Sequence, residues 1–400
     1  MKPNYTLLSI VCLLLCVPLG WSFLHRRSAA RPVSVVRFAT FNVAMNRDAQ
    51  GKMLEELQSG TCEQAQRIAE IVQRCEVDVL LLCELDHDAA AESAKVFAEQ
   101  YLAKSQRGLT PIQFEYRYCA PVNTGEPSGL DLDGDGKTDG PGDAWGFGRF
   151  PGQYGMVLLS RYPILVDEVR TFQTLPWSRM PEARRPANYY SDEVWKQLRL
   201  SSKSHWDVPI GIGPVENKRI VHVLCSHPTP PVFDGAEDRN GCRNHDEIRF
   251  WVDYLSPGKA DWIVDDAGRG GGLAAAAEFV LMGDLNCDPV DGDAQRDALA
   301  LLRSHPRVFD PEPKGPGGAE QSQKQWGMNA SQKGDPALDT GDFPDAPEAG
   351  PGNLRLDYVL VSRGQQTYAT GVFWPPAYDP AIRLVEASDH RLTWVDVGAQ

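Results

Sequence analysis

The residues best suited to chemistry in this chain are Asn42, Glu84, His227, Asp284, Asn286, Asp357, Asp389 and His390. Each stands at or beside the end of a short apolar run, in TFNV, VLLLCE, VLCSH, FVLMGDLN, RLDYVLV and SDHRLTW. Carboxylates, amides and imidazoles at the ends of core strands are costly to desolvate unless they bind something. A single one could cap a turn. A set of this composition, on strand ends that a sheet can gather on one rim, points to a hydrolytic metal site. Hydrolysis at such a site needs an aligned water, groups that stabilise developing charge and a proton for the leaving group. One Glu with one or two Asp suits magnesium or manganese, and magnesium keeps several of its waters. Two histidines without a ligating Cys or a clustered third His do not favour catalytic zinc.

The elements that must carry these residues alternate between strand and helix. VSVVRFATFNV (33–43) reads as a strand, residues 45–60 as a loop, and Thr61 with Gln64 as the capping box of a helix whose apolar positions are Ala65, Ile68, Ala69 and Val72. VDVLLLC (77–83) is an unbroken apolar strand of the kind buried on both faces, and residues 90–102 form a second helix. Further strands are expected at 154–160, 203–210, 219–226, 279–282, 355–362 and 392–397. Asn244 and Glu247 suggest a second capping box, and residues 294–303 a helix. This order indicates an α/β (or α+β) fold.

Four hundred residues with 42% hydrophobic content can bury a large core, while 36 Gly and 30 Pro imply long loops. The net charge of −14 argues against a broad basic surface that grips duplex nucleic acid by charge alone. Residues 1–30, with Lys2 ahead of the apolar run Leu7–Leu19, read as a signal peptide or an uncleaved N-terminal anchor. The expected location is therefore secreted, periplasmic or membrane-anchored outside the cytoplasm. Residues 31–400 read as one domain with insertions at about 108–152, 170–210 and 311–353. Of nine cysteines, Cys12 and Cys16 lie in the leader; the other seven are an odd number and contain no CxxC pair, so no disulfide is assigned.

Three further features carry open readings. DLDGDGKTDG (131–140) places Asp131, Asp133, Asp135 and Asp139 at positions 1, 3, 5 and 9 of a calcium loop, but position 12 is Gly142 instead of Glu. It is either a structural Ca2+ loop completed by another ligand such as Asp143, or a solvated acidic turn. The insertion 170–210 is rich in aromatic and basic residues, which suits either single-strand or sugar-phosphate binding or a packed lid. Lys203, His205 and Arg243 are candidates for phosphate binding.

TFNV, LLCELD, QYGMVLLSRYP, CSHP, GDLNCDP, RLDYVLVS and SDHRLTWVDV together resemble the endonuclease/exonuclease/phosphatase superfamily. Its members include pancreatic-type deoxyribonucleases, abasic-site endonucleases, neutral sphingomyelinases and inositol-polyphosphate phosphatases. The resemblance spans roughly residues 33–397 and implies a four-layer αββα sandwich, two packed mixed sheets with helices outside. It implies that Glu84 is the main ligand of a divalent metal, most simply Mg2+, with Asn42 and Asp389 beside it. Asp284 would orient or deprotonate the attacking water, with Asn286 as its partner at the phosphate. His390 would contact the scissile phosphate, its second nitrogen held by Asp357. His227 would be the general acid, although the Glu that pairs with this histidine in deoxyribonucleases is replaced here near Gln153 and Tyr154. The implied activity is exported, nuclease-like phosphodiester hydrolysis. A phosphomonoesterase, or a lipid or inositol-phosphate phosphoesterase, is the alternative, and a non-catalytic calcium-stabilised binding module is a third. The substrate is a phosphoester, nucleic acid or a small phosphorylated molecule. No stable protein partner is implied, and the chain is expected to be a monomer.

Overall fold

The computed structural model describes residues 35–214, 216 and 218–399. The leader assigned to residues 1–30 lies outside them. In chain order the strands are β1 (Val35–Met45), β2 (Val79–Leu85), β3 (Tyr116–Tyr118), β4 (Met156–Ser160), β5 (Arg170–Thr171), β6 (His205–Ile212) and β7 (Arg219–Ser226). They continue with β8 (Glu278–Asp284), β9 (Val308–Phe309), β10 (Gly341–Asp342), β11 (Asn353–Leu354), β12 (Asp357–Ser362), β13 (Thr367–Val372) and β14 (Thr393–Gly398). One six-stranded sheet has the order β13-β14-β1-β2-β4-β3 and the other β5-β6-β7-β8-β12-β9. Each is mixed: β1 and β2 pair in parallel in the first, β7 and β8 in the second, and their other pairings are antiparallel.

Side-chain alternation builds the layers. Val36 and Phe38, Leu81 and Cys83, Val221 and Val223, Val280 and Met282, and Val359 and Val361 share the core between the sheets. The intervening residues face helices. Ala39, Phe41, Leu80 and Leu82 pack under α1 (Lys52–Gln58), α2 (Glu63–Cys75) and α3 (Glu92–Phe97). α4 (Asp192–Gln197) is a short surface turn. Leu224, Phe279, Leu281 and Tyr358 pack under α5 (Arg239–Leu255) and α6 (Asp297–Ser304). This is the expected αββα sandwich.

Several local expectations change. α1 occupies part of the stretch read as a loop, because Met53 and Leu57 bury a face of it. α2 has no side-chain cap; Gln64 Nε2 instead donates to the carbonyls of Val43, Ala44 and Ala387, tying the helix to the end of β1. Asn244 and Glu247 are not a capping box, since α5 starts five residues earlier. Both are buried and hold loops: Asn244 Nδ2 donates to the carbonyls of Thr229 and Leu285, and Glu247 accepts from Ser202 N and Thr229 N. The 311–353 insertion is largely ordered, with α7 (Pro316–Gln325) and β10 within it. The 170–210 boundary is too long, because β6 is a central strand of the second sheet. All seven described cysteines are free thiols.

Candidate active site

Residue parity brings most of the site together. Asn42 continues the Val36–Phe38 row, His227 the Val223–Cys225 row, Asp284 the Val280–Met282 row and Asp357 the Val361–Val359 row, all of which point between the sheets. At one end of the inter-sheet core the apolar rows therefore give way to polar side chains. Asp357 lies directly opposite Asp284 in the antiparallel β8–β12 pair. Gly283 lets β7 approach closely, since a Cβ there would collide with the Ser226 carbonyl. Glu84 has the wrong parity for the cleft, but its backbone is left-handed (φ 60°), as is that of Asn286 (φ 49°). Non-glycine residues seldom adopt that region, and it re-aims side chains at functional sites.

Asp284 is the hub. Its Oδ2 accepts from Asn42 Nδ2 at 3.0 Å and lies 3.7 Å from His390 Nε2 and 3.6 Å from His227 Nε2. Its Oδ1 accepts from the backbone N–H of Asn286 at 2.9 Å. Burial raises the Asp284 carboxyl to about 6, against the opposing pull of His390 and with the Asp357 charge adding to the rise. His390 Nδ1 meets Asp357 Oδ2 at 2.8 Å. Burial alone would lower His390, but the charges of Asp357 and Asp284, the Asp357 hydrogen bond and Asp389 outweigh it and lift the imidazolium to about 10. The site thus holds a buried cation beside a carboxylate poised to take a proton.

Glu84 accepts from Asn42 Nδ2 at 3.0 Å through one oxygen and from Asn46 Nδ2 at 2.9 Å through the other. Burial raises its carboxyl, while Asn42, His390 and Lys203 oppose. A divalent cation fits here. The half-buried Glu84 and the buried Asp284 carboxylates share one amide donor, and Asp357 Oδ1 is buried without a hydrogen-bond partner. Ligand atoms of Asp284, Asp357 and His390 also lie within 4.8 Å of one another. Within that trio His390 Nδ1 is engaged by Asp357 Oδ2 at 2.8 Å, while His390 Nε2 lies 3.7 Å from Asp284 Oδ2. Asp389 is exposed at the cavity rim.

His227 is buried, and neither ring nitrogen has a hydrogen-bond partner. Burial, with the charges of Lys203 and His390, holds it well below the usual histidine range, so the ring is neutral. Its nearest carboxylates, Asp284 at 3.6 Å and Glu84 at 3.9 Å, lie beyond hydrogen-bond length, and Gln153 is spent on Arg47 O and Arg149 N. Asn286 Nδ2 donates to Pro228 O, bracing the loop after His227. Lys203 is buried within electrostatic reach of Glu84, Asp284 and Glu247.

Two phosphate candidates are corrected. His205 is a core residue, its ring bonded to Ser201 Oγ at 2.6 Å and Glu247 O at 2.9 Å. Arg243 donates to the carbonyls of Trp145, Arg199, Leu200 and Ser201, so its guanidinium clamps backbone. His245 is buried between Asp246 and Asp297. The aromatic–basic insertion also packs inward. Trp177 is buried and donates to Asp246 at 2.7 Å, and Arg184 and Arg185 pair with Asp297 and Asp192. In the acidic loop, Asp131 and Asp133 approach Asp143, whereas Asp135 and Asp139 stay outside that group.

Sequence reasoning missed three supports. Asn46 orients Glu84. Ser388 Oγ donates to Asn42 O at 2.7 Å and accepts from His390 N at 3.0 Å. Thr340 Oγ1 accepts from both Leu356 N and Asp357 N at 2.9 Å. Only Ser388 had a signal, its place beside Asp389-His390; Thr340 reaches the site through the folding of the 311–353 insertion.

The site opens into a cavity of about 890 Å3. The loop after β7 supplies Phe233, the loop after β8 supplies Asp288, Asp291 and Asp293, and the 311–353 insertion supplies Met328, Phe343 and Glu348. The insertion is fixed by backbone bonds from Asp342 N to Asp389 O at 2.8 Å and from Arg391 N to Thr340 O at 2.7 Å.

Comparison with known proteins agrees with this architecture. A solved structure of an endonuclease/exonuclease/phosphatase from Beutenbergia cavernae is 18% identical, with a TM-score of 0.50 over 91% of this chain and 72% of that one. A family protein from Leptotrichia buccalis is 14% identical (TM-score 0.46, 91% and 99% covered), and sphingomyelinase C from Streptomyces griseocarneus 16% (TM-score 0.45, 92% and 99%). At such identities the first likeness speaks to the fold alone. No curated protein sequence gives a significant match. The model of the Endonuclease/Exonuclease/phosphatase family matches residues 39–390, and the chain therefore belongs to that family, whose members hydrolyse phosphoester bonds.

Proposed function

We propose that this protein is an exported, Mg2+-dependent phosphodiesterase. The observation that carries the reading is the Asp284 carboxylate, held between Asn42 and the Asp357-supported imidazolium of His390. The metal, held by Glu84 with Asn42 and Asp389, would neutralise charge on the phosphate oxygens. Asp284 aligns a water and accepts its proton as the new O–P bond forms. His390 donates a hydrogen bond to a non-bridging oxygen while the P–O bond to the leaving alcohol breaks. The departing oxygen takes its proton from solvent in the cavity, because burial and the nearby charges of Lys203 and His390 disfavour a protonated His227.

Nucleic acid, the substrate that sequence favours first, loses support. The cavity lining contains no Lys or Arg, and phosphate-backbone binding relies on such cations. A compact diester suits the cavity better; a phosphomonoester is the second reading, since nothing in the lining selects the number of ester bonds. Export rests on the leader-like residues 1–30, and action as a monomer on the absence of any implied partner. A structural Ca2+ at Asp131, Asp133 and Asp143 belongs to the same reading. The test is hydrolysis of bis-para-nitrophenyl phosphate beside para-nitrophenyl phosphate, with Mg2+ and then with chelator. Diester turnover that disappears in chelator and in Glu84→Gln is expected; full activity in chelator would refute the metal assignment. Recovery of the mature chain outside the cytoplasm, or attached to the outer face of the membrane, is the expected outcome of fractionation.

A further inference from the structure

We propose that Gln64 is a positioning residue of the hydrolytic site: its side-chain amide ties Asn42 and Glu84, on the metal side, to His390, on the phosphate side. This rests on the phosphodiesterase reading above. Gln64 is the second residue of α2 and lies outside the cavity lining. Its Nε2 donates to the carbonyls of Val43 at 3.2 Å, Ala44 at 3.0 Å and Ala387 at 2.9 Å. Its Oε1 accepts from Arg47 Nη2 at 3.0 Å. Val43 and Ala44 follow Asn42, and the β1–β2 register shifts there. Asn42 pairs with Cys83 and Met45 with Leu85, so two residues of β1 stand against Glu84 alone. Ala44 (φ 47°) and Glu84 (φ 60°) are both left-handed at this bulge. A bulge re-aims side chains but breaks the ladder locally, and its carbonyls then need other donors. Gln64 is such a donor for both Val43 and Ala44.

Two further paths run from the same amide. Arg47 Nη1 donates to Asn46 O at 2.8 Å, and Asn46 Nδ2 donates to Glu84 Oε2 at 2.9 Å. Beyond Ala387, the next residue, Ser388, donates to Asn42 O at 2.7 Å and accepts from His390 N at 3.0 Å. One side chain therefore spans the end of β1, the 46–47 turn and the 387–390 segment. It does not serve its own helix, because α2 has no side-chain cap and all four contacts of Gln64 leave it. α2 is anchored to the turn Pro380–Ala387 in other ways too, by Glu70 with Arg383 at 2.6 Å and by Arg67 with Glu386 at 2.9 Å. Those ion pairs hold the helix without reaching the bulge. They separate anchorage of α2 from alignment of the site.

The experiment compares the purified full chain with Gln64→Met, Gln64→Glu and Arg383→Ala. Gln64→Met keeps the length of the side chain and removes both polar ends. Gln64→Glu keeps an acceptor for Arg47 but turns an oxygen toward three carbonyls. Melting temperature reports folding. Titration with Mn2+, followed by the electron paramagnetic resonance of the free ion, reports metal binding without substrate. Hydrolysis of bis-para-nitrophenyl phosphate with Mg2+ gives kcat and KM separately. The expected result in Gln64→Met is Mn2+ binding about tenfold weaker and kcat about tenfold lower, the usual cost of an outer-shell partner, with KM near native. Gln64→Glu shows the same losses and carries the test if Gln64→Met does not fold. Arg383→Ala lowers the melting temperature but leaves Mn2+ binding and kcat near native. Native Mn2+ binding and kcat in a folded Gln64 variant would overturn the inference. Equal losses in Arg383→Ala, or failure of both Gln64 variants to fold, would overturn it too and make Gln64 an ordinary anchor of α2. In each of these cases the native chain still hydrolyses the diester. A native chain that turns over no diester would instead defeat the underlying reading, and the inference with it.

Discussion

Asp357→Asn tests the central electrostatic claim. The rise of His390 from 6.5 to about 10 corresponds to about 5 kcal/mol in favour of the imidazolium. It is achieved against burial, and Asp357 is the first of the groups that oppose burial, acting both by charge and through the 2.8 Å hydrogen bond. The Asn side chain keeps the shape and a hydrogen-bonding oxygen but removes the charge. With the largest opposing charge removed, the His390 value falls toward its ordinary one. At pH 8 the variant lacks the cation that faces the phosphate, and kcat should drop by about 10²- to 10³-fold, the usual cost of one preorganised donor. The assay is the pH–rate profile of bis-para-nitrophenyl phosphate hydrolysis between pH 5 and 10.5. In the native enzyme the acidic limb reflects Asp284 losing its proton near 6, and the alkaline limb His390 losing its proton near 10. In the variant the alkaline limb moves toward neutrality. Stability follows the same sign. A group whose folded value is raised stabilises fully below its unfolded value and loses that contribution as pH rises through the folded one. The native protein therefore loses the His390 contribution between about pH 6.5 and 10, and the variant does not. A slower variant with an unshifted alkaline limb would refute the reasoning and reduce Asp357 to a packing residue.

Other outcomes follow from the same geometry. Asp284→Asn should lower kcat by at least about 10³-fold, because the proton acceptor is lost, and should also lower the thermal midpoint, because its amide NH2 cannot accept one of the two hydrogen bonds that Asn42 Nδ2 and Asn286 N donate to the carboxylate; retained turnover would remove Asp284 from the water-activating role. Gly283→Ala should cost about 2 kcal/mol or more in denaturant unfolding, since the new methyl meets the Ser226 carbonyl between adjacent central strands. Added Ca2+ should raise the melting temperature of the native chain, and Asp143→Asn should abolish that rise if Asp131, Asp133 and Asp143 hold the ion; an unaltered response places the ion elsewhere. Arg243→Ala should destabilise by several kcal/mol while leaving KM for the diester near native, as expected of a guanidinium that holds four backbone carbonyls.

Much of this was local and therefore legible. Apolar runs of period two built the sheets, and a polar residue continuing such a run on the inward parity had to arrive between them, as Asn42, Asp284 and Asp357 do. The Asp357–His390 hydrogen bond and the nearness of Glu84 to Asn42 agree with what the resemblance implied. Tertiary packing decided the rest. Glu84, of outward parity, is re-aimed by a left-handed backbone that no side-chain pattern reveals. Lys203, His205 and Arg243 looked alike as polar residues near strand and helix ends. Burial then assigned one to the site's electrostatics, one to a core hydrogen-bond pair and one to a carbonyl clamp. The 170–210 insertion turned Trp177 and Arg184 against α5 and α6, because a buried ring and a paired guanidinium cost less than a free basic face on an acidic molecule. The 311–353 insertion, which had no apolar period to read, became a cavity wall through backbone bonds to Asp389 and Arg391. Sequence alone determined which residues could do the chemistry, since residue type and strand parity are local properties. What surrounds the phosphate was decided only by the tertiary structure, because the sign of a cavity depends on which distant loops close over it.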